Sequence, residues 1–464
     1  MLGRLLSLGF YPLTDPTEGR YAEIGRRIVE TGDWITPWID LDIPFWGKPP
    51  LSFWMTGSSL QLLGESALAA RLPHFIAGVI TLWITYDLFK RQSMSKVGLY
   101  AIALTTGSVI FYLSSGTVMT DATLGVGCAL AMRGFWLSIQ ENTVKQKQEW
   151  YLFFVGLAIG LLAKGPLILV LCLAPIGAWL IYTRRVKEVL TQMPLTSGVI
   201  LMLLISLPWY ILAEIRTPGF LEYFIIGEHW QRFLQKDWSG DLYGKGHGKP
   251  LGMIWLYAFI GMLPWTIILP LLAWRTRGNI RKTSSTNRFQ MMVYFGLWGL
   301  FPLIFFSLSK NILISYTLPA IMPFACLAAL WLDGKTAEKK IHRSLIFGVM
   351  LTMTVSLFAV AYIRLSDKHE RLSSEALIQA YTSKSVRDEP LYFYQLVPHS
   401  AKFYTGGQAM LVDNFDSLRK SIATHQSMYI AFDEKQLTMI PEDLKSQLVS
   451  PQQHGRYMLF YINK

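Results

Sequence analysis

Charge is what this chain has least of. Of its 464 residues only 16% are Asp, Glu, Lys or Arg, while 52% are hydrophobic and 14% aromatic. Soluble domains carry roughly a quarter charged residues, so an ordinary soluble enzyme is excluded. The mean hydropathy of +0.32 agrees. Cysteine is scarce as well. Cys128, Cys172 and Cys326 stand singly in apolar runs without ligand-like spacing, which excludes a disulfide framework and a zinc knuckle and makes them expected core residues. What the sequence does have is a series of long apolar runs from about residue 73 to 363, separated by short polar segments, after which residues 365–464 return to a mixed composition. That pattern predicts an α-helical polytopic membrane protein, 1–364, followed by a soluble domain, 365–464. The formal net charge of +12 lies largely between the apolar runs, where positive charge sets membrane orientation, so nucleic acid is not an expected partner.

Ten spans are predicted, near 73–90, 97–114, 121–139, 150–163, 166–183, 196–213, 251–271, 289–307, 312–332 and 344–363. The basic connections fall at every second position: Lys90/Arg91/Lys96, Lys145/Lys147, Arg184/Arg185/Lys187, Arg275/Arg277/Arg281/Lys282/Arg288 and Lys335/Lys339/Lys340/Arg343. The positive-inside rule makes those cytoplasmic and places 1–72, 115–120, 164–166, 214–250, 308–311 and the tail on the outer side. The apolar stretch 51–64 is short for a bilayer that needs roughly 20 residues, so it is expected as a helix at the outer interface. Residues 1–13 are too short to span. Delivering 14–72 outward then requires either a further span ahead of them or unaided translocation. In the tail, strand-like runs (391–395, 428–432, 457–462) alternate with helix-like ones (414–422, 441–448), predicting a small α/β domain without a nucleotide-binding glycine loop.

The outer segments concentrate charge: Asp15, Glu18, Arg20, Tyr21, Glu23, Arg26, Arg27 and Lys48 all fall in the first fifty residues. One reading is an exposed juxtamembrane helix over 17–31 whose charges are solvated. The other is a site for an anionic ligand. Asp121, Lys164, Glu228, His229, Arg232, His247 and Lys310 add ionisable groups at membrane edges, where charge is costly and usually functional. Lys164 and Lys310 also read as snorkelling lysines. His229 and Arg232 are three apart, which on an α-helix gives one face from which an imidazole and an arginine fork both reach a phosphate. Glu228, His229, Asp241 and His247 could supply metal ligands, but their spacing matches no tight motif.

The loop strings are more specific. TDPTEGRYAEI at 14–24, GDWITP at 32–37, KPPL at 48–51 and ARLP at 70–73 resemble the opening of the bacterial polyprenyl-phosphate-sugar glycosyltransferases, the aminoarabinose transferase and protein mannosyltransferase relatives of the GT-C class. The resemblance continues in order through TD at 120–121, KGP at 164–166, PWY at 208–210, EHWQRF at 228–233, GH at 246–247, PW at 264–265, FSLSK at 306–310 and YTLP at 316–319. It implies a GT-C-like fold in the bacterial inner membrane with its active site and C-terminal domain at the periplasmic face. The implied donor is a sugar on a polyprenyl phosphate such as undecaprenyl phosphate. The implied acceptor is lipid A first, with protein hydroxyls and other envelope glycans behind it. Two departures bear on the site: Gly47 stands where the aminoarabinose transferases look to carry an acidic, metal-associated residue, and Thr17-Glu18 stands where they carry adjacent Asp-Glu. A divalent metal is therefore left open as a cofactor.

Transfer from such a donor expels a phosphate whose charge grows as the glycosidic bond breaks, so cations placed there favour the transition state. Arg20, Lys48, Lys164, His229, Arg232 and Lys310 are the candidate phosphate ligands. Asp15 and Glu18 are the candidate catalytic carboxylates. Asp15 is preferred because Pro16 biases it toward extended backbone, whereas Glu18 falls in the first helical turn and can serve as a cap. Tyr21, Asp121, His247 and Tyr316 are candidates for sugar or acceptor binding, and a single displacement inverts the anomeric centre. A transporter or flippase of anionic polyprenyl lipids is the competing class. It would place charge at the midplane and show inverted repeats, neither of which the sequence has. A third reading is a membrane-anchored sensor or assembly factor acting through the tail.

Overall fold

A computed structural model describes residues 1–40, 42–140, 144–236, 238–244, 247–276, 286–366, 368–385 and 389–463. Gly246, Arg277, Arg281 and Lys282 and the side chain of Lys145, all named above, lie outside the described residues. The chain forms two compact units: Met1–Leu5, Asp33–Met55 and Arg71–Leu357 make the first, and Leu6–Gly32, Thr56–Ala70 and Phe358–Lys464 the second.

The first unit is helical, and every run predicted to span is found as a helix or a broken helix. Five are long and apolar enough to cross a bilayer on their own: Ala67–Arg91, Leu195–Arg216, Asn287–Ser307, Ile314–Asp333 and Glu338–Leu365. A sixth arises if Met253–Gly261 and Trp265–Arg275, bent by 73°, count as one; Pro264, lacking an N–H, stands at that break. The chain is thus a multi-pass membrane protein. The other predicted spans are shorter or more polar helices: Ser95–Thr106 with Val109–Ser114, Thr120–Ser138, Val144–Lys164 and Leu167–Thr183. Large apolar side chains such as Leu204 and Phe347 point outward, as they do where lipid is the solvent. Inside, helices Thr120–Ser138 and Val144–Lys164 meet through glycine. A Cβ on Gly156 would lie 2.4 Å from the Ala131 nitrogen, and one on Gly127 would lie 2.8 Å from the Gly156 oxygen. Close approach through small residues is how helices pack without a hydrophobic driving force. Phe135, Trp136, Trp179 and Tyr294 fill the adjacent core, and all three cysteines are buried and unpaired. Residues 51–64 form a single short helix, Leu51–Leu63.

The second unit contains a five-stranded sheet. With β1 Trp38–Asp40 and β2 Ile43–Pro44 paired in the first unit, its strands are β3 Leu391–Tyr394, β4 Met410–Val412, β5 Ser427–Asp433, β6 Val449–His454 and β7 Tyr457–Asn463, in the order β4-β3-β5-β7-β6. The β4-β3-β5 pairs are parallel and β5-β7-β6 antiparallel. Alternate residues feed two cores, Leu391, Phe393, Tyr429 and Ala431 on one face and Tyr392, Tyr394, Ile430 and Phe432 on the other, as a sheet covered on both sides requires. The predicted helix at 414–422 is Phe415–Thr424, capped by the Asn414 side chain. The run 441–448 shortens to Glu442–Lys445. Strands β4 and β6 carry too little alternation to be read from sequence.

The second unit takes in the N-terminal segment Leu6–Gly32 as well as the chain from Phe358 onward. Helix Thr17–Thr31 belongs to the second unit, where the Asp15 carboxylate accepts from the backbone N–H of Ser400 at 2.9 Å and from its hydroxyl. Glycine at 25 lets the helix approach Thr56, which a Cβ would meet at 2.7 Å. Nor are its central charges solvated. Glu23 is 0%, Arg26 3% and Arg27 4% exposed; Arg26 donates to both Glu23 oxygens at 2.7 and 2.9 Å and Arg27 to one at 3.0 Å. The solvated-helix reading is therefore replaced by a buried network of Glu23, Arg26 and Arg27, which the exposed Glu30 joins through Arg26 at 3.0 Å.

Candidate active site

Four segments of the first unit converge on a cavity of about 400 Å³. Lys48 comes from the loop ahead of helix Leu51–Leu63, and Lys164 is the last residue of Val144–Lys164. Glu228, His229 and Arg232 come from the π-helical stretch Tyr223–Gln231 and the turn after it. Ser309, Asn311 and Tyr316 come from the connection before helix Leu318–Asp333. The rest of the lining is apolar, including Leu167, Val170, Ile225, Trp230, Phe233 and Phe305. Such a lining suits a ligand that is charged at one point and apolar elsewhere.

Local sequence explains the convergence. The break at Lys164-Gly165-Pro166 needs φ of +78° at Gly165, a value glycine adopts without cost. A Cβ there would strike the Phe224 ring at 2.6 Å and press on the His229 ring at 3.1 Å. The π-helical winding is uncommon and recurs at functional sites. It also changes the expected geometry, because three residues no longer make one face. Arg232 turns back to Glu228, while His229 Nδ1 donates to the Phe224 carbonyl at 2.7 Å and its Nε2 lies 3.2 Å from the Lys164 carbonyl. Asn311 ties the end of this segment by donating to the carbonyls of Arg232 and Gln235, both at 2.6 Å.

The charges are paired across the fold. Lys48 Nζ donates to Glu228, and Arg232 Nη1 reaches both Glu228 oxygens at 2.9 and 2.8 Å. Asp241 lies 3.5 Å from the same nitrogen. Lys164 bonds Asp121 at 2.6 Å and stands 5.0 Å from the Tyr316 ring centroid. Burial pushes the Glu228 carboxyl up, but the Lys48 and Arg232 charges more than reverse this and hold it below its ordinary value. Burial, with the Lys48 charge, holds the His229 imidazole below its own.

Of the residues singled out from sequence, Lys48, Lys164, His229, Arg232 and Tyr316 are brought together here, with Asp121 holding Lys164. Lys310 and His247 are exposed and do not line the cavity; their backbones pair with Phe233 and Ile312. Asp15, Glu18, Arg20 and Tyr21 belong to the second unit. There burial raises the Asp15 carboxyl above its ordinary value against the lowering Ser400 bonds. Glu18 accepts from the Thr14 N–H and hydroxyl at 3.1 and 3.2 Å, and Arg20 stands over the Tyr21 ring. Sequence reasoning missed Asn311, and it weighed Glu228 as a charge at a membrane edge and as a metal ligand but not as the partner of Arg232, although the i,i+4 spacing was visible.

The residues weighed as metal ligands do not fit one. Glu228 and Asp241 face Arg232, and His229 is spent on carbonyls. At position 47 a Cβ would lie 2.8 Å from the Phe45 ring. Among the described residues no three His, Cys, Asp or Glu side chains converge.

A helical membrane unit with a cation-bearing, otherwise apolar cavity, joined in one chain to a small mixed-sheet unit, defines the class: this is the fold of the GT-C polyprenyl-phosphate sugar transferases, and the likeness read from the loop strings holds. The particulars come from the matches. Residues 13–224 match the dolichyl-phosphate-mannose-protein mannosyltransferase family. The chain is 30% identical over 384 residues to the undecaprenyl phosphate-alpha-4-amino-4-deoxy-L-arabinose arabinosyl transferase of Aeromonas salmonicida, covering 80% of this chain and 65% of that one. It is 31% identical over 333 residues to the enzyme of the same name from Erwinia tasmaniensis, covering 70% and 56%. The chain thus spans less than two thirds of the length of these relatives. Its structure matches ArnT of Cupriavidus metallidurans, solved bound to undecaprenyl phosphate, with a TM-score of 0.80 at 19% identity over 99% of this chain and 96% of that one. The transporter reading finds no support in these likenesses.

Proposed function

We propose that this protein is an inverting glycosyltransferase that moves a sugar, of the aminoarabinose type, from undecaprenyl phosphate to lipid A at the periplasmic face of a bacterial inner membrane. The observation that carries the reading is the cavity in which Lys48, Lys164 and Arg232 share a lining with apolar side chains. A phosphate on a polyprenyl chain has that chemistry. The acceptor oxygen attacks the anomeric carbon opposite the phosphate, the carbon–oxygen bond to phosphate breaks, and the electron pair leaves on the phosphate oxygen. Lys48 and Arg232 would stabilise that growing charge by charge-assisted hydrogen bonds. A hydroxyl acceptor also surrenders a proton to a base, whereas a lipid phosphate acceptor is already ionised.

The test is mass spectrometry of lipid A and envelope glycans from cells with and without the protein, with transfer reconstituted from a purified undecaprenyl-phosphate sugar. Loss of an aminoarabinose mark from lipid A is expected. Loss of a sugar from protein or another glycan would move the acceptor, and no change in any of them would sink the reading. Sidedness follows from cysteines placed at 240 and 410, which should label from outside, and at 280, which should not.

A further inference from the structure

We propose that Glu228 is a resident counter-anion whose task is to let the spent phosphate leave. The inference rests on the polyprenyl-phosphate reading above. Among the described residues, the three cations that line the cavity, Lys48, Lys164 and Arg232, are ion-paired with three carboxylates, of which Glu228 lines the cavity and Asp121 and Asp241 do not. The formal charge of this paired set is therefore zero. A site built only to grip an anion would leave its cations unmatched, because an unpaired cation out of water binds any anion strongly.

The reaction explains the balance. The donor is a phosphodiester with one negative charge, whereas the leaving group is a phosphate monoester carrying about −1.5 to −2 at pH 7. In a net-positive cavity the product would outbind the donor, and its release would limit turnover. Uniformly tight binding of that kind adds nothing to the chemical step. Glu228 opposes it, since a fixed negative charge repels the monoester about twice as strongly as the diester. The geometry permits both partners at once. Arg232 spends only Nη1 on Glu228 and Asp241, and among the described residues its Nε and Nη2 make no hydrogen bond, leaving one edge of the guanidinium for phosphate oxygens. Lys48 spends two of its three protons, on Glu228 and on the Gly47 carbonyl. With glycine at 47, Glu228 is the carboxylate that balances Lys48.

The test is the binding of a polyprenyl monophosphate and of its methyl diester to the full chain in nanodiscs, for wild type, Glu228→Gln and Glu228→Asp. Wild type should bind the two within about threefold of each other. Glu228→Gln should bind the monophosphate about 10- to 100-fold more tightly and the diester by a smaller factor, the scale of a close charge pair. It should also show a burst of transferred sugar followed by slower turnover, and Glu228→Asp should restore the wild-type ratio. Monophosphate binding by Glu228→Gln that is unchanged or weaker would overturn the proposal and leave Glu228 as a spacer between Lys48 and Arg232. If Glu228→Gln does not fold, the wild-type ratio decides alone, and a preference for monophosphate above about 30-fold overturns it. Wild type binding neither lipid would defeat the donor reading itself, an outcome separate from the others.

Discussion

Helix Thr17–Thr31 and the cavity around Glu228 each hold a buried carboxylate between two cations, Glu23 between Arg26 and Arg27 in one case and Glu228 between Lys48 and Arg232 in the other. The first cluster lies on one helix, at i,i+3 and i,i+4, so neighbouring turns bring it together. The second joins Lys48 to Glu228 across 180 residues and opens onto a cavity. Charge that pairs within a single element can be explained by that element's own stability. Charge carried in from distant segments to the wall of a cavity calls for a ligand.

The sharpest break of this comparison is an alanine at each cluster. Lys48→Ala or Arg232→Ala should lower sugar transfer by about 10²–10³ while the protein stays folded and inserted, the scale of removing one transition-state donor. Arg26→Ala should instead leave Glu23 with Arg27 as its remaining cation, at about 1.5–3 kcal/mol of stability, lowering the melting temperature with turnover per folded molecule kept. Wild-type turnover in both cavity variants would remove the clamp.

Asp15 is the next place to press, since it has a structural partner and a candidate catalytic role. Ser400→Ala keeps the carboxylate and removes one of its charge-assisted bonds, at about 1.5–3 kcal/mol. If Asp15 is only an anchor, Asp15→Asn and Ser400→Ala should lower stability together and leave turnover per folded molecule alike. If Asp15 takes the acceptor's proton, Asp15→Asn should abolish transfer and Ser400→Ala should not.

A smaller effect is expected with pH. The His229 imidazole is held below its ordinary value of 6.5, so the folded protein binds that proton less readily than the unfolded chain. Its contribution to stability is present above pH 6.5 and is lost as pH falls through the lowered folded value. The melting temperature of wild type should therefore drop more steeply below pH 6.5 than that of His229→Gln; parallel curves would show that His229 does not carry the effect. The smallest expected effect is that of a chelator. With Glu228 and Asp241 on Arg232 and with Phe45 against position 47, EDTA should leave the transfer rate unchanged, and a loss restored by a divalent ion would overturn the metal-free clamp.

Much of this was legible one residue at a time. The apolar runs gave helices because a bilayer admits only backbone that satisfies itself. Helix Thr17–Thr31 and strands β3, β5 and β7 lie where periodicity put them, and Lys48, Lys164 and Arg232 were conspicuous as basic residues in segments predicted to face outward. The exposed Lys310 and His247 gave the same signal without the same placement, because sequence reports a residue's type and spacing but not the direction of its side chain. The face expected to be shared by His229 and Arg232 failed because the segment winds as a π-helix.

Sequence by itself therefore determined the helical membrane class, the α/β tail and the supply of cations, since these follow from composition, periodicity and spacing over a few residues. The pairing of Asp15 with Ser400, 385 residues away, the burial of the Thr17–Thr31 charges, and the meeting of Lys48 with Glu228 were decided by tertiary structure. Each depends on chain segments whose approach is set by packing elsewhere, by Gly165, Gly156 and Gly25 among others, and no local pattern records which distant carboxylate a lysine will meet.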